Sequence, residues 1–582
     1  MRNDFIARKT YYSFVLVSIL SSLTATAGML IDNILVGRFL GSEALGAMGI
    51  VGPVSLVFSA IGNICAGGGG ARAAQALGRG DREQFCRIFT TNTLFVLAAG
   101  GILTVLGMLF APGIAVLLGA KEGLLEPTTD YLYGFFLGTV PTILLSAMMT
   151  FVRMDGSPKL PLTCIGVMSA ANIALDLMMV YIFHLGMFGM ALATAISYYL
   201  AVATALTHFL KKGSTLRLVR PKDFLGDLSK TIITGLPTAI SRISDTVKVM
   251  LLNHMLVTYV SVAAVTALNI RTTTSNFLGA VVLGIGQAAT PTTGMFFGEE
   301  DRTAMKDTLK TTLKLGLTIN ILLGVALLVL PAFFAYLLGV TDQTLMNMSV
   351  LAIRLFGIGM PIQLINSALL NYYQCTKKIG MATMICVLQS LVYTLLFAWI
   401  LIGPMGATGV WVAFLLGEIL TLLTVVIRLV VKNRKPVLSL DVLMMLDEDF
   451  GGNPKDRLEL SIGNSLEEVM RISTGIYKFG ANRALSQETL NTLSLFIEEL
   501  AGNVVQHAFK PGEKRWLDLT ILDKPEKLII RIRDNGAPFD PLAYLSTGEM
   551  EGFGLRIVQK LAENIEYRRN MGLNNLIVHL RK

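Results

Sequence analysis

The chain has 582 residues, more than one ordinary domain, and 53% of them are hydrophobic while only 15% are charged. Soluble proteins carry about 25% charged residues, so this composition argues against a soluble protein and for a membrane protein. A formal net charge of +9 would suit nucleic-acid binding. The Lys and Arg residues instead lie in short loops between apolar runs, so we expect no nucleic-acid partner. Five cysteines without a C-x-x-C spacing indicate neither a disulfide framework nor a metal site.

Up to about residue 430 the chain is a series of long apolar runs. A helix needs about 20 mostly apolar residues to cross the hydrocarbon core of a bilayer. Twelve runs meet that length, which predicts an α-helical membrane protein with twelve transmembrane helices. They lie near residues 13–37, 45–68, 88–110, 129–151, 161–183, 187–210, 230–256, 262–292, 311–336, 346–372, 380–402 and 407–430.

Positive residues alternate between the loops that join these runs. Arg2 and Arg8 precede the first run, and Lys and Arg also follow every even-numbered run, ending with Arg428 and Lys432. The opposite loops carry few positive residues. Cytoplasmic loops of membrane proteins are enriched in Lys and Arg. We therefore expect both termini, and everything after Lys435, on the cytoplasmic side of the membrane.

The apolar part of the chain repeats itself. Leu185-Gly-Met-Phe-Gly-Met190 matches Met405-Gly-Ala-Thr-Gly-Val410 in composition and position within the two halves. This predicts two six-helix bundles in parallel orientation, residues 1–220 and 221–435. Parallel repeats of this kind place a cavity between the bundles, and rocking of the bundles exposes it alternately to the two sides of the membrane.

Four polar side chains lie at membrane depth in the first bundle. Asp32 is in the first run, and Asn172 and Asp176 are four residues apart in the fifth, on one helix face. Thr194 is in the sixth. Ionisable residues inside a membrane are costly and mark an ion or substrate pathway by default. Hard oxygen ligands suit Na⁺, while two close carboxylates suit a proton site. The structural alternative is that Asp32 caps or kinks a helix and Asp176 bonds a neighbour.

The second bundle does not keep these positions, since Leu252 stands at the repeat equivalent of Asp32. Arg242, Asp245 and Lys248 instead lie three apart in the seventh run, and Glu418 is in the twelfth. The three charges suit a self-neutralising stripe on one helix face. A site for an anionic or zwitterionic part of a substrate is the alternative.

Six motifs stand out in the membrane part: Ile31-Asp-Asn-Ile-Leu-Val-Gly-Arg38, Gly67-Gly-Gly-Gly-Ala-Arg72, Leu77-Gly-Arg-Gly-Asp81, Arg153-Met-Asp-Gly-Ser-Pro-Lys159, Asn172-Ile-Ala-Leu-Asp176 and Gly189-Met-Ala-Leu-Ala-Thr194. Together they resemble the MATE family of multidrug and toxin extruders, over roughly residues 1–430. The resemblance implies an antiporter for drugs or cations in the plasma membrane of a bacterium, driven by H⁺ or Na⁺. It also implies that Asp32, Asn172, Asp176 and Thr194 bind the coupling cation.

After Lys432 the composition becomes polar and mixed. Residues 436–455 have the acidic and Gly-rich composition of a linker. From 456 to 582 the pattern is α/β, which predicts a cytoplasmic α/β sandwich. Alternating residues predict strands at 458–462, 516–522, 528–533 and 575–580, and helical spacing covers 464–479, 487–508 and 553–564.

Three short motifs in this region are each weak but occur together. Glu499 and Asn503 are four apart on one helix face, where the amide oxygen suits Mg²⁺ and the carboxylate suits a general base. Asp534-Asn-Gly536 ends a strand, so its carboxylate is placed to accept the adenine amino group. Gly552-Phe-Gly554 opens a helix whose backbone N–H groups suit phosphates. We expect ATP and Mg²⁺ as cofactors.

This order of motifs, with the terminal Gly572-Leu-Asn-Asn-Leu576, resembles the GHKL (Bergerat-type) ATPase fold and, within it, the anti-sigma-factor serine kinases. By that resemblance Glu499 is the catalytic base and Asn503 the Mg²⁺ ligand. Asp534 reads adenine, with Gly536, Gly552, Gly554 and Asn575 completing the nucleotide site. No phosphoacceptor histidine module precedes the domain, and His507 is read as a packing residue.

The sequence favours an efflux transporter of small amphipathic or cationic compounds with a regulatory ATP-binding domain. A membrane-anchored serine kinase that uses the transporter half as a sensor is one alternative, and a flippase for lipid-linked substrates is another. Whether the domain hydrolyses ATP, phosphorylates a soluble protein partner or only binds nucleotide stays open. ABC-type pumping is disfavoured because no G-x-x-x-x-G-K-[ST] occurs.

Overall fold

A computed structural model describes residues 2–120, 123–211, 213–433, 439–453, 456–483, 485–509, 515–541, 543 and 553–582. The chain divides into two compact units. The membrane unit comprises Ser13–Gly298 and Thr308–Met445. The sheet unit comprises Leu446–Lys582 together with Met1–Tyr12 and Glu299–Asp307. The sequence did not predict that two short segments from the apolar part of the chain would join the C-terminal domain.

Most of the described residues between 5 and 445 are helical. Twelve helical stretches overlap the twelve predicted spans, several of them built from two or three consecutive helices. The helices are α1 (Phe5–Phe39), α2 (Gly41–Asn63), α3 (Gly70–Arg79), α4 (Arg82–Leu117), α5 (Leu125–Leu137), α6 (Thr139–Met154), α7 (Leu160–Tyr181), α8 (Gly186–Leu206), α9 (Phe224–Tyr259), α10 (Val262–Gly298), α11 (Arg302–Val329), α12 (Pro331–Leu337), α13 (Gln343–Cys375), α14 (Ile379–Val387), α15 (Tyr393–Met405), α16 (Ala407–Asn433) and α17 (Leu440–Met444). Two π-helical turns, Ile64–Gly69 and Leu388–Val392, join α2 to α3 and α14 to α15.

Most of these stretches have the length and apolarity of membrane spans. In the part of the chain that the structure describes, nine helices meet both requirements, and ten do if the pair α5 and α6, bent by 45°, is one span. The long helices α9 and α10 account for the other two predicted spans. Spans of this unit also carry large exposed apolar side chains, such as Leu109 on α4 and Leu322 on α11, which are 69% and 66% exposed. Exposed apolar surface on this scale is typical of contact with lipid.

Small residues let the two halves of the membrane unit approach closely near the first π-helical turn. A Cβ at Gly68 would lie 2.2 Å from the carbonyl oxygen of Thr231 on α9, so only glycine fits there. Arg72 on α3 donates to the Asp227 carboxylate at 2.7 Å and to the Thr231 hydroxyl at 2.8 Å. The glycine-rich motif therefore serves helix packing and is fastened by an ion pair.

The C-terminal region is a five-stranded antiparallel sheet with helices on one face. Its strands are β1 (Arg457–Gly463), β2 (Trp516–Asp523), β3 (Lys527–Asp534), β4 (Asn564–Asn570) and β5 (Leu573–Arg581), in the order β1-β2-β3-β5-β4, and its helices are α18 (Leu466–Ala481), α19 (Gln487–His507) and α20 (Phe553–Leu561). The predicted α/β sandwich is confirmed, and β4 is a strand that the sequence did not predict.

Side-chain alternation divides this sheet into an apolar and a polar face. Leu519, Ile530 and Leu576 point to the helices and pack against Phe496 and Ile497 of α19 in one buried core. Several of the intervening residues of the same strands are charged or polar, namely Asp518, Thr520, Arg533 and Asn575. They are nevertheless buried, so this second face is covered as well.

Candidate functional site

The first candidate site is a buried carboxylate in the N-terminal half of the membrane unit. Asp176 on α7 is 1% exposed, and among the described residues neither of its carboxylate oxygens accepts a hydrogen bond from an N–H or hydroxyl donor. The Asp32 carboxyl lies close enough to share a proton with it. One turn before Asp176, the Asn172 amide donates to the Thr194 hydroxyl of α8 at 3.2 Å. A buried carboxylate that accepts no such hydrogen bond carries a desolvation cost of about 1–3 kcal/mol or more. Such a group is suited to binding a proton or a cation.

Asp32 and two tyrosines surround this carboxylate. Asp32 on α1 is close enough to Asp176 for the two carboxyl groups to interact electrostatically. Both carboxyl groups also interact electrostatically with the phenol of Tyr131 on α5. The phenol of Tyr198 on α8 is also close enough to Asp32 to be affected by its charge. The structure thus brings the four predicted residues into one neighbourhood. Sequence reasoning missed the tyrosines, although Tyr198 lies four residues after Thr194 and so on the same helix face.

The second half of the membrane unit holds a different group of charges. Lys248 donates to Asp245 at 2.8 Å, which suits a self-neutralising pair on α9. The Glu418 carboxylate of α16 accepts hydrogen bonds from Asn366 at 2.9 Å and from Gln389 at 3.0 Å. The sequence singled out Glu418 but offered no partner for it, because these amides come from α13 and the π-helical turn after α14.

An arginine that sequence reasoning missed lies beside these charges. The Arg271 guanidinium of α10 stacks on the Phe414 ring with its carbon 3.5 Å from the ring centroid. The Lys248 ammonium lies 5.6 Å from the same ring. Cations over an aromatic face are attracted by about 0.5–2 kcal/mol. Phe414 therefore helps to hold two positive side chains inside this half of the unit.

The second candidate site is a cleft in the sheet unit built around Asp534. This residue ends β3 and is 2% exposed. One of its carboxylate oxygens, Oδ1, accepts from the Gly536 N–H at 2.7 Å and from the Asn574 amide at 2.8 Å. Burial raises the pKa of Asp534 to about 6, although these two hydrogen bonds and the charge of Arg569 act in the opposite direction. Among the described residues, no hydrogen bond reaches its other oxygen, Oδ2.

Apolar side chains line the rest of this cleft. The lining has the chemistry that a flat base with one amino donor requires, namely apolar walls and the Asp534 acceptor, although the cleft as it stands has an accessible volume of only about 10 Å³ and must widen to admit a base. The lining residues are Leu500, Asn503, Val504, Asp534, Phe539, Pro541, Leu555, Tyr567, Asn574 and Leu576. Gly536 is needed next to the base site, since a Cβ there would lie 2.2 Å from the Ala508 carbonyl oxygen.

Glu499 and Asn503 lie one turn apart on α19, beside the start of α20. The Asn503 amide nitrogen donates to the Glu499 carbonyl at 2.6 Å, which leaves the amide oxygen available as a Mg²⁺ ligand. A Cβ on Gly554 would lie 1.8 Å from the Glu499 carboxylate, so α20 begins directly against this side chain. Gly552, the other predicted glycine, lies outside the described residues. These donors fit a magnesium nucleotide.

Asn575 is not in the cleft. Adjacent residues of a strand point to opposite faces, and Asn574 takes the position beside Asp534. Asn575 lies on the polar face, where it accepts from Arg533 at 3.0 Å and donates to Glu299 at 3.3 Å. The structure therefore places Asn574, and not the predicted Asn575, beside Asp534. His507, which the sequence predicted to be a packing residue, stacks on the ring of Phe539 with the ring centroids 5.0 Å apart.

Comparison with known proteins relates both units to described families. The MatE family model matches twice, at residues 18–178 and 237–400, which together make up more than half of the chain. The two matches correspond to the two predicted repeats. A histidine kinase-like ATPase domain model matches residues 463–580.

Individual proteins of similar sequence and structure lead to the same family. "Multidrug export protein MepA" of Staphylococcus saprophyticus is 27% identical over 440 residues, covering 73% of this chain and 94% of that protein. The protein of the same name from a bovine strain of Staphylococcus aureus is 23% identical over 417 residues, covering 70% and 90%.

Solved structures resemble the fold at lower sequence identity. An outward-facing multidrug resistance MATE family transporter superimposes with a TM-score of 0.67 at 20% identity, covering 72% of this chain and 94% of that one. A Vibrio cholerae MATE transporter, VcmN, gives a TM-score of 0.67 at 19% identity, covering 72% and 95%. The chain belongs to the MatE family, as a multi-pass membrane transporter that carries a histidine kinase-like ATPase domain at its C-terminal end.

Proposed function

We propose that this protein exports small amphipathic or cationic compounds in exchange for H⁺ or Na⁺, and that its C-terminal domain binds ATP with Mg²⁺ to regulate the exchange. We propose drugs as the exported compounds because the similar staphylococcal proteins are named multidrug export protein MepA. The observation that carries the coupling is the buried Asp176 carboxylate, which among the described residues accepts no hydrogen bond from an N–H or hydroxyl donor and lies beside the Asp32 carboxyl.

The surroundings of Asp176 favour reversible cation binding. Asp32 adds a second carboxylate, and the Asn172 and Thr194 side chains add neutral oxygens. One proton or one Na⁺ shared by the two acids relieves both their repulsion and their desolvation. Binding of the proton or Na⁺ changes the net charge of the site. It therefore shifts the equilibrium between two conformations of the bundle, and antiport requires such a shift.

In the sheet unit we assign nucleotide roles by position. Asp534, oriented by the hydrogen bond from Asn574, accepts from the base. Asn503 supplies an oxygen for Mg²⁺, and Glu499 is the general base if phosphoryl transfer occurs. Gly536, Gly552 and Gly554 allow close approach of backbone to nucleotide. Bound ATP supplies a γ-phosphate for hydrolysis or transfer to a soluble protein partner. We place both termini on the cytoplasmic side, because Lys and Arg are concentrated in the corresponding loops.

The coupling proposal is tested by transport in proteoliposomes that contain the full chain. With an imposed H⁺ or Na⁺ gradient, wild-type protein should move a fluorescent cationic drug, and Asp176→Asn and Asp32→Asn should each lose gradient-driven transport while inserting normally. Asp130→Asn is the matched control, since Asp130 lies on α5 of the same half but is exposed. Gradient-driven transport at wild-type rate in both variants would overturn the assignment.

A further inference from the structure

The polar face of the sheet carries a layer of buried charges that the nucleotide cleft does not use. We call Glu459, Asp518, Arg531, Arg533 and Asn575 the turn-binding face. Arg533 is 1% exposed and Asp518 is 3% exposed. Charged side chains are almost never buried to this extent unless they are paired. The turn-binding face must therefore be covered by groups of complementary charge.

The covering groups come from the turn between α10 and α11. Arg533 forms ion pairs with Glu299 and, at 2.8 Å, with Asp301. Arg531 donates to the Glu299 carbonyl at 3.2 Å, and Asn575 donates to the Glu299 carboxylate at 3.3 Å. Two acidic residues of one short turn thus meet two arginines of β3.

The N-terminal segment completes the network. Arg2 pairs with Asp301 at 2.9 Å, with Asp518 at 3.2 Å and with Glu459 at 3.5 Å. Burial alone would raise the pKa of Asp301, but Arg2 and Arg533 hold it well below its usual range. All of these residues belong to the sheet unit. Arg2, Arg533 and Asp301 each have more than one partner of opposite sign, so removing one charge weakens the compensation of its partners without leaving them unpaired.

The strands place this network one residue away from the nucleotide cleft. In the β3–β5 ladder, Asp534 is opposite Asn574, and the next pair is Arg533 opposite Asn575. The first pair lines the cleft and the second pair holds Glu299. Because successive residues of a strand share one backbone, a shift that tightens the first pair around a base also moves the second pair.

The held turn is covalently continuous with two long helices. α10 ends at Gly298, directly before Glu299, and α11 begins at Arg302, directly after Asp301. Any change in the position or freedom of residues 299–301 therefore acts on the ends of both helices.

We propose that the turn-binding face is the regulatory contact of this protein, through which the nucleotide state of the cleft controls the turn between α10 and α11. This rests on the proposed ATP binding. Linkage is reciprocal, so the network also sets the affinity of the cleft for nucleotide. A transport regulator of this kind requires no partner protein and no hydrolysis, only a difference in nucleotide affinity between two states of the turn.

The test uses Glu299→Gln and Asp301→Asn in the full chain, which remove charge from the turn while keeping the side-chain shape. Glu566→Gln is the matched control, because Glu566 forms an ion pair with Arg568 on the same sheet face but outside the network. We expect the two network variants to keep gradient-driven transport, to lose its response to a non-hydrolysable ATP analogue, and to bind that analogue with an affinity changed by about fivefold or more. The control should behave as wild type.

A second measurement requires no substitution. Hydrogen exchange of the backbone at residues 299–303 in wild-type protein should change when the ATP analogue is added. An unchanged exchange rate, or network variants that respond to the analogue as wild type does, would overturn the coupling. Wild-type protein that binds no nucleotide would instead overturn the nucleotide site, and the coupling with it.

Discussion

The ionisation of Asp534 should control nucleotide affinity in a narrow pH range. Burial raises the pKa of this carboxyl to about 6, from an ordinary value near 4. The ionised form, which the amino group of adenine requires as an acceptor, therefore predominates only above that pH. At about pH 5 roughly a tenth of the molecules are ionised, so the apparent affinity should be about tenfold weaker than at about pH 8.

The same shift has a consequence for stability. A carboxyl whose folded-state pKa is raised destabilises the fold as pH rises from about 4 towards 6, because ionisation in the buried site is unfavourable. A base that donates to the carboxylate favours the ionised form and reverses the effect. Nucleotide should thus raise the melting temperature of the sheet unit more at about pH 8 than at about pH 5.

Asp534→Asn separates this effect from titration of the nucleotide phosphates, which occurs in the same range. The variant should bind a fluorescent ATP analogue more weakly at about pH 8, by roughly 10–150-fold, since a hydrogen bond to a charged group contributes about 1.5–3 kcal/mol. The ratio of wild-type to variant affinity should then shrink by about tenfold on going to about pH 5. A ratio that stays constant across this range would show that Asp534 does not hold the base.

Three further predictions concern the glycines and the energy source. Gly554→Ala should weaken nucleotide binding, because its Cβ would lie 1.8 Å from the Glu499 carboxylate and would push that side chain to a new position in the site. Gly502→Ala, whose Cβ would meet only Leu466 at 3.9 Å, should bind as wild type in the same titration. Gly68→Ala should lower the melting temperature of the protein in detergent, because overpacking against Thr231 reduces the free energy of unfolding by about 1–3 kcal/mol. Gly101→Ala, which has open space around it, should leave the melting temperature unchanged. Substrate should accumulate in proteoliposomes that have an ion gradient and contain no nucleotide. Transport that requires hydrolysable ATP, and that stops in the Glu499→Ala variant, would contradict a regulatory role for the domain.

Much of the architecture follows from local patterns in the sequence. Apolar runs long enough to cross a bilayer predicted helices that the structure contains, and alternation of apolar residues predicted four of the five strands. The pair Glu499 and Asn503 could be placed on one helix face because a spacing of four residues is fixed by helix geometry. In the same way Asn172 and Asp176 could be placed together on α7.

Other features depended on contacts between distant parts of the chain. The choice between Asn574 and Asn575 turned on strand register, since a step of one residue moves a side chain to the other face of the sheet. Tyr131 and Arg271 carry no local signal and gain their neighbours only when helices pack. Arg533 meets Asp301 across 232 residues of sequence, and no periodicity extends that far. Local propensity and hydropathy determine which segments form helices and strands, whereas the pairing of buried charges is decided only when the tertiary structure removes them from water together.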